Sequence, residues 1–175
     1  SEHEHKEPIQ EGNAQRQTYS ILDTITNIQQ IGKGVSSNTT KTNERPALWS
    51  DQIEDYFAGN PQFAGVYAVD EMKYLKKLPL PFGLVVNMST STAPGSHWCS
   101  VYITPDSIEY YDPTGHDHPK QLIKDLHAKL TSWHIPIMLK LKINSVANQN
   151  NASNHCGYFA IRFLDERMNG TPFAA

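Results

Sequence analysis

The chain has 175 residues, 38% of them hydrophobic and 19% charged, with two cysteines and a formal net charge of −3. That length fits one domain able to bury its own core, and two cysteines cannot build a disulfide-rich scaffold. The charge argues against the basic field that grips a nucleic-acid backbone or an anionic membrane surface, and no apolar run is long enough to span a bilayer.

Taken in order, Ser1 to Gly12 is acidic and His-bearing, unlike a secretory signal. The Asn-x-Ser/Thr sequons at Asn38, Asn87, Asn151 and Asn169 then read as by-products of an Asn-rich composition. Ile21, Leu22, Ile25 and Ile28 follow helical spacing and predict an amphipathic helix around 16–31, either packed on the domain or a detachable arm. Gly32 to Asn43 has linker composition, and its Gly-Lys-Gly lacks phosphate-loop spacing. Residues 1–45 are therefore read as a polar N-terminal extension and residues 46–175 as the compact domain.

Asp51 and Glu54 resemble a capping box for a short helix through Phe57. Strands are predicted at 64–69, 82–88, 97–103 and 107–111, the last ended by the turn signature Asp-Pro-Thr-Gly. A helix follows at about 119–133, with Pro119 at its first position and Leu122, Ile123, Leu126, Leu130 and Trp133 on one face. The alternation in 137–143 predicts a strand with one solvated face. A polar loop, 144–154, precedes a last helix at about 155–168, capped by Ser153 or Asn154. The order of elements gives an α+β fold.

One cysteine sits where chemistry is possible. In the first turn of the last helix, Cys156 meets unpaired backbone N–H groups and the positive end of the helix dipole, which favour a thiolate. By itself it reads equally as a small buried hydrophobe. A thiol nucleophile needs a base, an orienter for that base and donors for an oxyanion. His97 opens a strand directly after a turn, while Asp112 ends the next strand. If the two strands form a hairpin, both residues fall at the same open end of the sheet. The competing reading is a surface turn pair. Gln149, seven residues before Cys156, could place a side-chain N–H beside the Cys156 backbone N–H, although a Gln in an Asn-rich loop carries no information alone. His155 adjoins the cysteine but points about 100° away on a helix. His116-Asp117-His118 lacks further ligands at useful spacing. No metal and no cofactor are expected.

The segments GSHW (95–98), YYDPTG (110–115) and QNNASNHCG (149–157), in that order, resemble the adenovirus-type cysteine proteases, which share a fold and catalytic order with SUMO-specific proteases. Segments 55–72 and 84–98 are also similar, so the resemblance covers about Trp49 to Gly170. It implies a mixed sheet flanked by helices, with the nucleophile at the start of a central helix. It implies Cys156 as nucleophile, His97 as base, Asp112 as its orienter, Gln149 in the oxyanion hole and Trp98 as a wall of the substrate site. It further implies a thiol endopeptidase that cleaves viral capsid or core precursors near Gly, in the virion or in the host cell's cytoplasm or virus factory; the Asn-rich composition suits an AT-rich source such as a virophage or large DNA virus. The alternatives are a SUMO or ubiquitin-like deconjugating protease and a catalytically silent peptide-binding virion protein. An activating peptide tethered by disulfide finds no support, because the remaining thiol, Cys99, falls on a buried strand face. The net charge also argues against a DNA cofactor.

Overall fold

The computed structural model describes residues 20–31, 46–89, 97–136, 140–144, 147–148 and 155–173, with side chains of the first segment through residue 26. A helix α1 (Ile21–Ile31) and a short helix α2 (Ser50–Tyr56) precede strands β1 (Phe63–Ala68), β2 (Phe82–Asn87), β3 (Trp98–Ile103) and β4 (Ser107–Tyr111). Helix α3 (Lys120–Ser132), strand β5 (Lys140–Ile143) and helix α4 (Cys156–Met168) follow. The strands form one mixed sheet in the order β1-β2-β3-β4-β5. Its centre is an antiparallel meander, and β1 and β5 add to its edges in parallel with β2 and β4.

Strand alternation puts a core on each face of the sheet. Cys99, Val101 and Ile103 of β3 face one core with Leu122, Ile123, Leu126 and Leu130 of α3. Trp98 and Tyr102 face the other, with Ile53 of α2, Ile25 of α1 and Phe159, Ala160, Ile161 and Leu164 of α4. Helix α4 is thus clamped between the sheet and the N-terminal helices. Arg167 near its end forms a bidentate pair with the buried Glu109 of β4, at 2.7 and 2.8 Å. Tyr56 of α2 donates to Asp165. Among the described residues no helix is long and apolar enough to cross a membrane.

Helix ends differ from the sequence expectation. Helix α1 starts at Ile21, and Ser20 Oγ accepts from the Asp23 N–H at 3.3 Å. Helix α2 starts before Asp51, and its cap interaction runs from the Trp49 N–H to Gln52 Oε1 at 2.8 Å, not through Asp51 and Glu54. Pro119 is extended at the N-cap of α3, one position before the place expected for it. His155 occupies the N-cap of α4. Ser153 and Asn154, expected as caps, lie outside the described residues, as do 137–139 of the predicted fifth strand.

Candidate active site

The β3–β4 hairpin builds the site's base. Its register pairs Ser100 with Tyr111, so the next step along the ladder sets Cys99 opposite Asp112 and brings His97 to the same end. The Met88 N–H donates to the His97 carbonyl at 2.8 Å, which fixes the backbone one residue before β3 begins. His97 Nε2 meets Asp112 Oδ1 at 2.8 Å. The imidazole is a quarter exposed, while the carboxylate is almost fully buried.

Asp112 is held by its own turn. Its Oδ1 also accepts from the Thr114 N–H at 2.8 Å and the Thr114 hydroxyl at 2.7 Å. Gly115, at φ +76°, closes the turn with its N–H on the Asp112 carbonyl. Asn144, just past β5, clasps the Asp112 backbone from the other side. Its Oδ1 accepts the Asp112 N–H at 2.9 Å, and its Nδ2 donates to the Asp112 carbonyl at 2.7 Å. The chain after β5 stays on this turn, because the Asn148 N–H donates to the Pro113 carbonyl at 2.7 Å and Tyr111 Oη donates to Asn148 Oδ1 at 2.8 Å. Gln149 follows directly but lies outside the described residues.

Helix α4 delivers the sulfur. Cys156 is its first residue, and the first N–H groups of a helix have no acceptor within it. The backbone N–H of Trp98 points at Cys156 Sγ, 3.4 Å away, and His97 also hydrogen-bonds to Cys156. With Nε2 committed to Asp112, Nδ1 remains to exchange a proton with that thiol. Burial opposes charge on His97, but the bonds to Asp112, Cys156 and Cys99 outweigh it and push the group up to about 12. Burial holds Cys99 itself up at about 11, so Asp112 supplies the negative charge at neutral pH. Burial pushes Asp112 up, yet its bonds from His97 and Thr114 prevail and hold it below the usual carboxylate range.

The structure therefore brings together Cys156, His97 and Asp112. Trp98, expected as a wall of the substrate site, is held from behind by the segment before α2. Its ring is 2% exposed and donates through Nε1 to the Leu48 carbonyl at 3.0 Å. Gly157 leaves room for this contact, since a Cβ there would stand 3.0 Å from the Trp98 ring. Sequence reasoning missed Asn144 and Thr114. The Asp-Pro-Thr-Gly turn signals Thr114, because an Asx turn bonds the acid to the N–H two residues on. Asn144 carries no local signal.

A sulfur at a helix start, an imidazole beside it and a carboxylate behind the imidazole form the constellation of a thiol hydrolase. No family model matches the chain. It is 26% identical over 121 residues to the cysteine protease S273R of African swine fever virus, isolate Tick/Malawi, covering 63% of this chain and 44% of that protein. A second isolate, Warthog/Namibia, has a relative named SUMO-1 cysteine protease S273R, 25% identical over 120 residues, with 62% and 44% covered. The crystal structure of the African swine fever virus pS273R protease superposes with a TM-score of 0.50 at 13% identity, over 70% of this chain and 56% of that one. That likeness shows the shared α+β fold. The chain is similar in sequence and in fold to this protease of a large DNA virus. It spans less than half the length of the curated relatives it matches.

Proposed function

We propose that the chain is a cysteine endopeptidase working through an acyl-enzyme. The observation that carries this reading is that one imidazole, His97, meets Asp112 at 2.8 Å and also interacts with the Cys156 thiol. His97 holds the proton of the Cys156 thiol at Nδ1, the two standing as an imidazolium–thiolate pair. The sulfur attacks the scissile carbonyl, and the Cys156 N–H with the Gln149 amide receives the developing oxyanion. His97 then gives its proton to the leaving amine. Water, losing a proton to His97, attacks the thioester and releases the acid and the free thiol. Losing one oxyanion donor in such a site typically costs about 3 kcal/mol of transition-state stabilisation.

The substrates are viral capsid or core precursors cleaved near Gly, in the virion or the virus factory. This reading is supported by homology to a protease of a large DNA virus. The name of the second relative favours another reading, release of a SUMO-like protein from conjugates. The experiment incubates the chain and its Cys156→Ala variant with a Gly-Gly-x precursor peptide and with SUMO and ubiquitin-like conjugates. Peptide cleavage that disappears in the variant is expected. Cleavage of conjugates alone selects the deconjugating reading. Unchanged cleavage by the variant sinks the mechanism. A Cys156 that alkylates at pH 6 no faster than free cysteine leaves a silent peptide-binding protein.

A further inference from the structure

The mechanism uses Asp112, His97 and Cys156 but leaves Cys99 idle. Among the described residues, His97, Cys99 and Asp112 are the one group of three or more His, Cys, Asp or Glu side chains with ligand atoms gathered together, all within 4.8 Å of one another. We propose that they form a site for a soft divalent cation such as Zn²⁺ or Cd²⁺, which holds the imidazole out of proton transfer. This site does not depend on the peptidase reading, because Cys156 takes no part in it.

The donor set argues for the class of ion. Imidazole, thiolate and carboxylate are the ligands of zinc and its softer congeners, whereas Mg²⁺ and Ca²⁺ take oxygen. Zinc bonds of about 2.0–2.3 Å hold ligand atoms roughly 3.2–3.8 Å apart. The His97–Asp112 pair opens from 2.8 Å to reach that spacing, atoms up to 4.8 Å apart close by about 1 Å, and a water fills the fourth position. Both buried ligands already have partners that orient them. Tyr110 Oη donates to Cys99 Sγ at 3.3 Å, and Thr114 donates twice to Asp112 Oδ1. Those donors would stay in place around a metal thiolate and carboxylate, as the outer shell of a metal site requires. The quarter-exposed edge of His97 is the way in.

Binding is a ligand exchange without electron transfer. The metal replaces the thiol proton of Cys99 and the Nε2 proton of His97, and both protons leave to solvent. Nε2 then belongs to the metal and the remaining ring proton sits on Nδ1. An imidazole in that form has no lone pair facing Cys156 and cannot take the thiol's proton.

The test uses the full chain with Cys156→Ala, which leaves Cys99 as the sole thiol. Titration with Cd²⁺ is expected to raise a sulfur-to-metal charge-transfer band that saturates at one ion per chain. The band disappears when Cys99→Ser is added. Should that double variant fail to fold, Tyr110→Phe keeps every ligand and is expected to weaken Cd²⁺ binding about tenfold or more. In the unsubstituted chain, Zn²⁺ slows iodoacetamide alkylation of Cys156 and a chelator restores it. Absence of the band, a band that persists without Cys99, or affinity unmoved by Tyr110→Phe overturns the proposal.

Discussion

Asp112 is over-determined, and the excess tells what the residue is for. Its Oδ1 takes three donors, while Asn144 holds its peptide group from both sides. A buried carboxylate fixed this tightly can neither rotate nor protonate easily, so the imidazole it faces keeps one orientation and its charge. The two shifts have opposite signs in pH. His97 rises from 6.5 to about 12, so its stabilisation is complete below pH 6.5 and erodes as pH climbs through 12. Asp112 is lowered from 3.8, so its stabilisation is complete above that value and is lost as pH falls through the depressed one. The pair contributes fully between pH 3.8 and 6.5. With Cys156→Ala to remove the sulfur, the His97 ring resonances are expected not to titrate between about pH 5 and 9. Adding Asp112→Asn brings their titration down towards about 6.5. Identical titrations with and without Asp112 would show that the carboxylate does not set the charge. Asn144→Ala removes two hydrogen bonds from a buried turn, a loss of about 1–3 kcal/mol in urea unfolding. It is expected to lower kcat more than it raises KM, since both side-chain bonds of Asn144 go to the Asp112 backbone. A KM effect alone would rule out that positioning role.

At the scale of elements, the site's central device is local and was legible. A hairpin brings the start of one strand beside the end of the next whatever surrounds it, so β3 and β4 already place His97 next to Asp112. The alternation of Lys140–Ile143 reads its solvated face correctly, with both Lys exposed and Leu141 and Ile143 half-buried, and the periodicity of α3 marks the side that is buried. What escaped was non-local or energetically small. Nothing in 63–68 or 140–143 says that β1 and β5 pair in parallel, because those partners are chosen across long connections. The bonds of Asn144 to Asp112 depend on where β5 ends in space. Helix caps at Trp49, Pro119 and His155 departed from the expected chemistry because tertiary packing outweighs a capping preference of about 1 kcal/mol. The first turn of α4 shows that packing most sharply. A Cβ on Gly157 would lie 3.0 Å from the Trp98 ring, 3.1 Å from Leu48 Cδ1 and 3.2 Å from Leu48 Cβ, and both side chains are buried. Trp98 cannot retreat without breaking its bond to the Leu48 carbonyl. Gly157→Ala is therefore expected to cost about 1–3 kcal/mol by overpacking, against a helix-propensity gain of up to about 1 kcal/mol. It also shifts the N–H of Trp98 away from Sγ. The checks are the denaturation midpoint and the alkylation rate of Cys156. A more stable variant with unchanged alkylation would mean that the contact yields freely.

For the whole molecule, the question is whether α1 belongs to the body or hangs on it as an arm. Helix α4 has one side on the sheet, through Ala160, Ile161 and Leu164, and lies in the same core as Leu48, Ile53 and Phe57. Helix α1 adds Ile25 to that core, with Ile21 packed at its margin, and Thr24 is buried beside it. Among its described side chains the hydrogen bonds stay within the helix, as in the Thr24 hydroxyl donating to the Ser20 carbonyl, and Ile25 and Ile21 meet the core by apolar contact. Burying one Ile side chain is worth about 1.5–3 kcal/mol, and truncating one to Ala in a core costs about 2–5 kcal/mol. Leu22 on the same helix is 60% exposed and supplies the control, since a surface change away from packing stays within about 0.5 kcal/mol. If α1 is part of the body, Ile25→Ala lowers the urea midpoint by an amount equivalent to about 2–3 kcal/mol and Leu22→Ala leaves it in place. The two variants would behave alike, with no loss of midpoint, if α1 were an arm. A gain in Cys156 alkylation on Ile25→Ala at unchanged stability would go further and make α1 a cover for the site. The packed helix predicts the opposite, because loosening the Leu48 neighbourhood removes support from Trp98, whose N–H faces the sulfur.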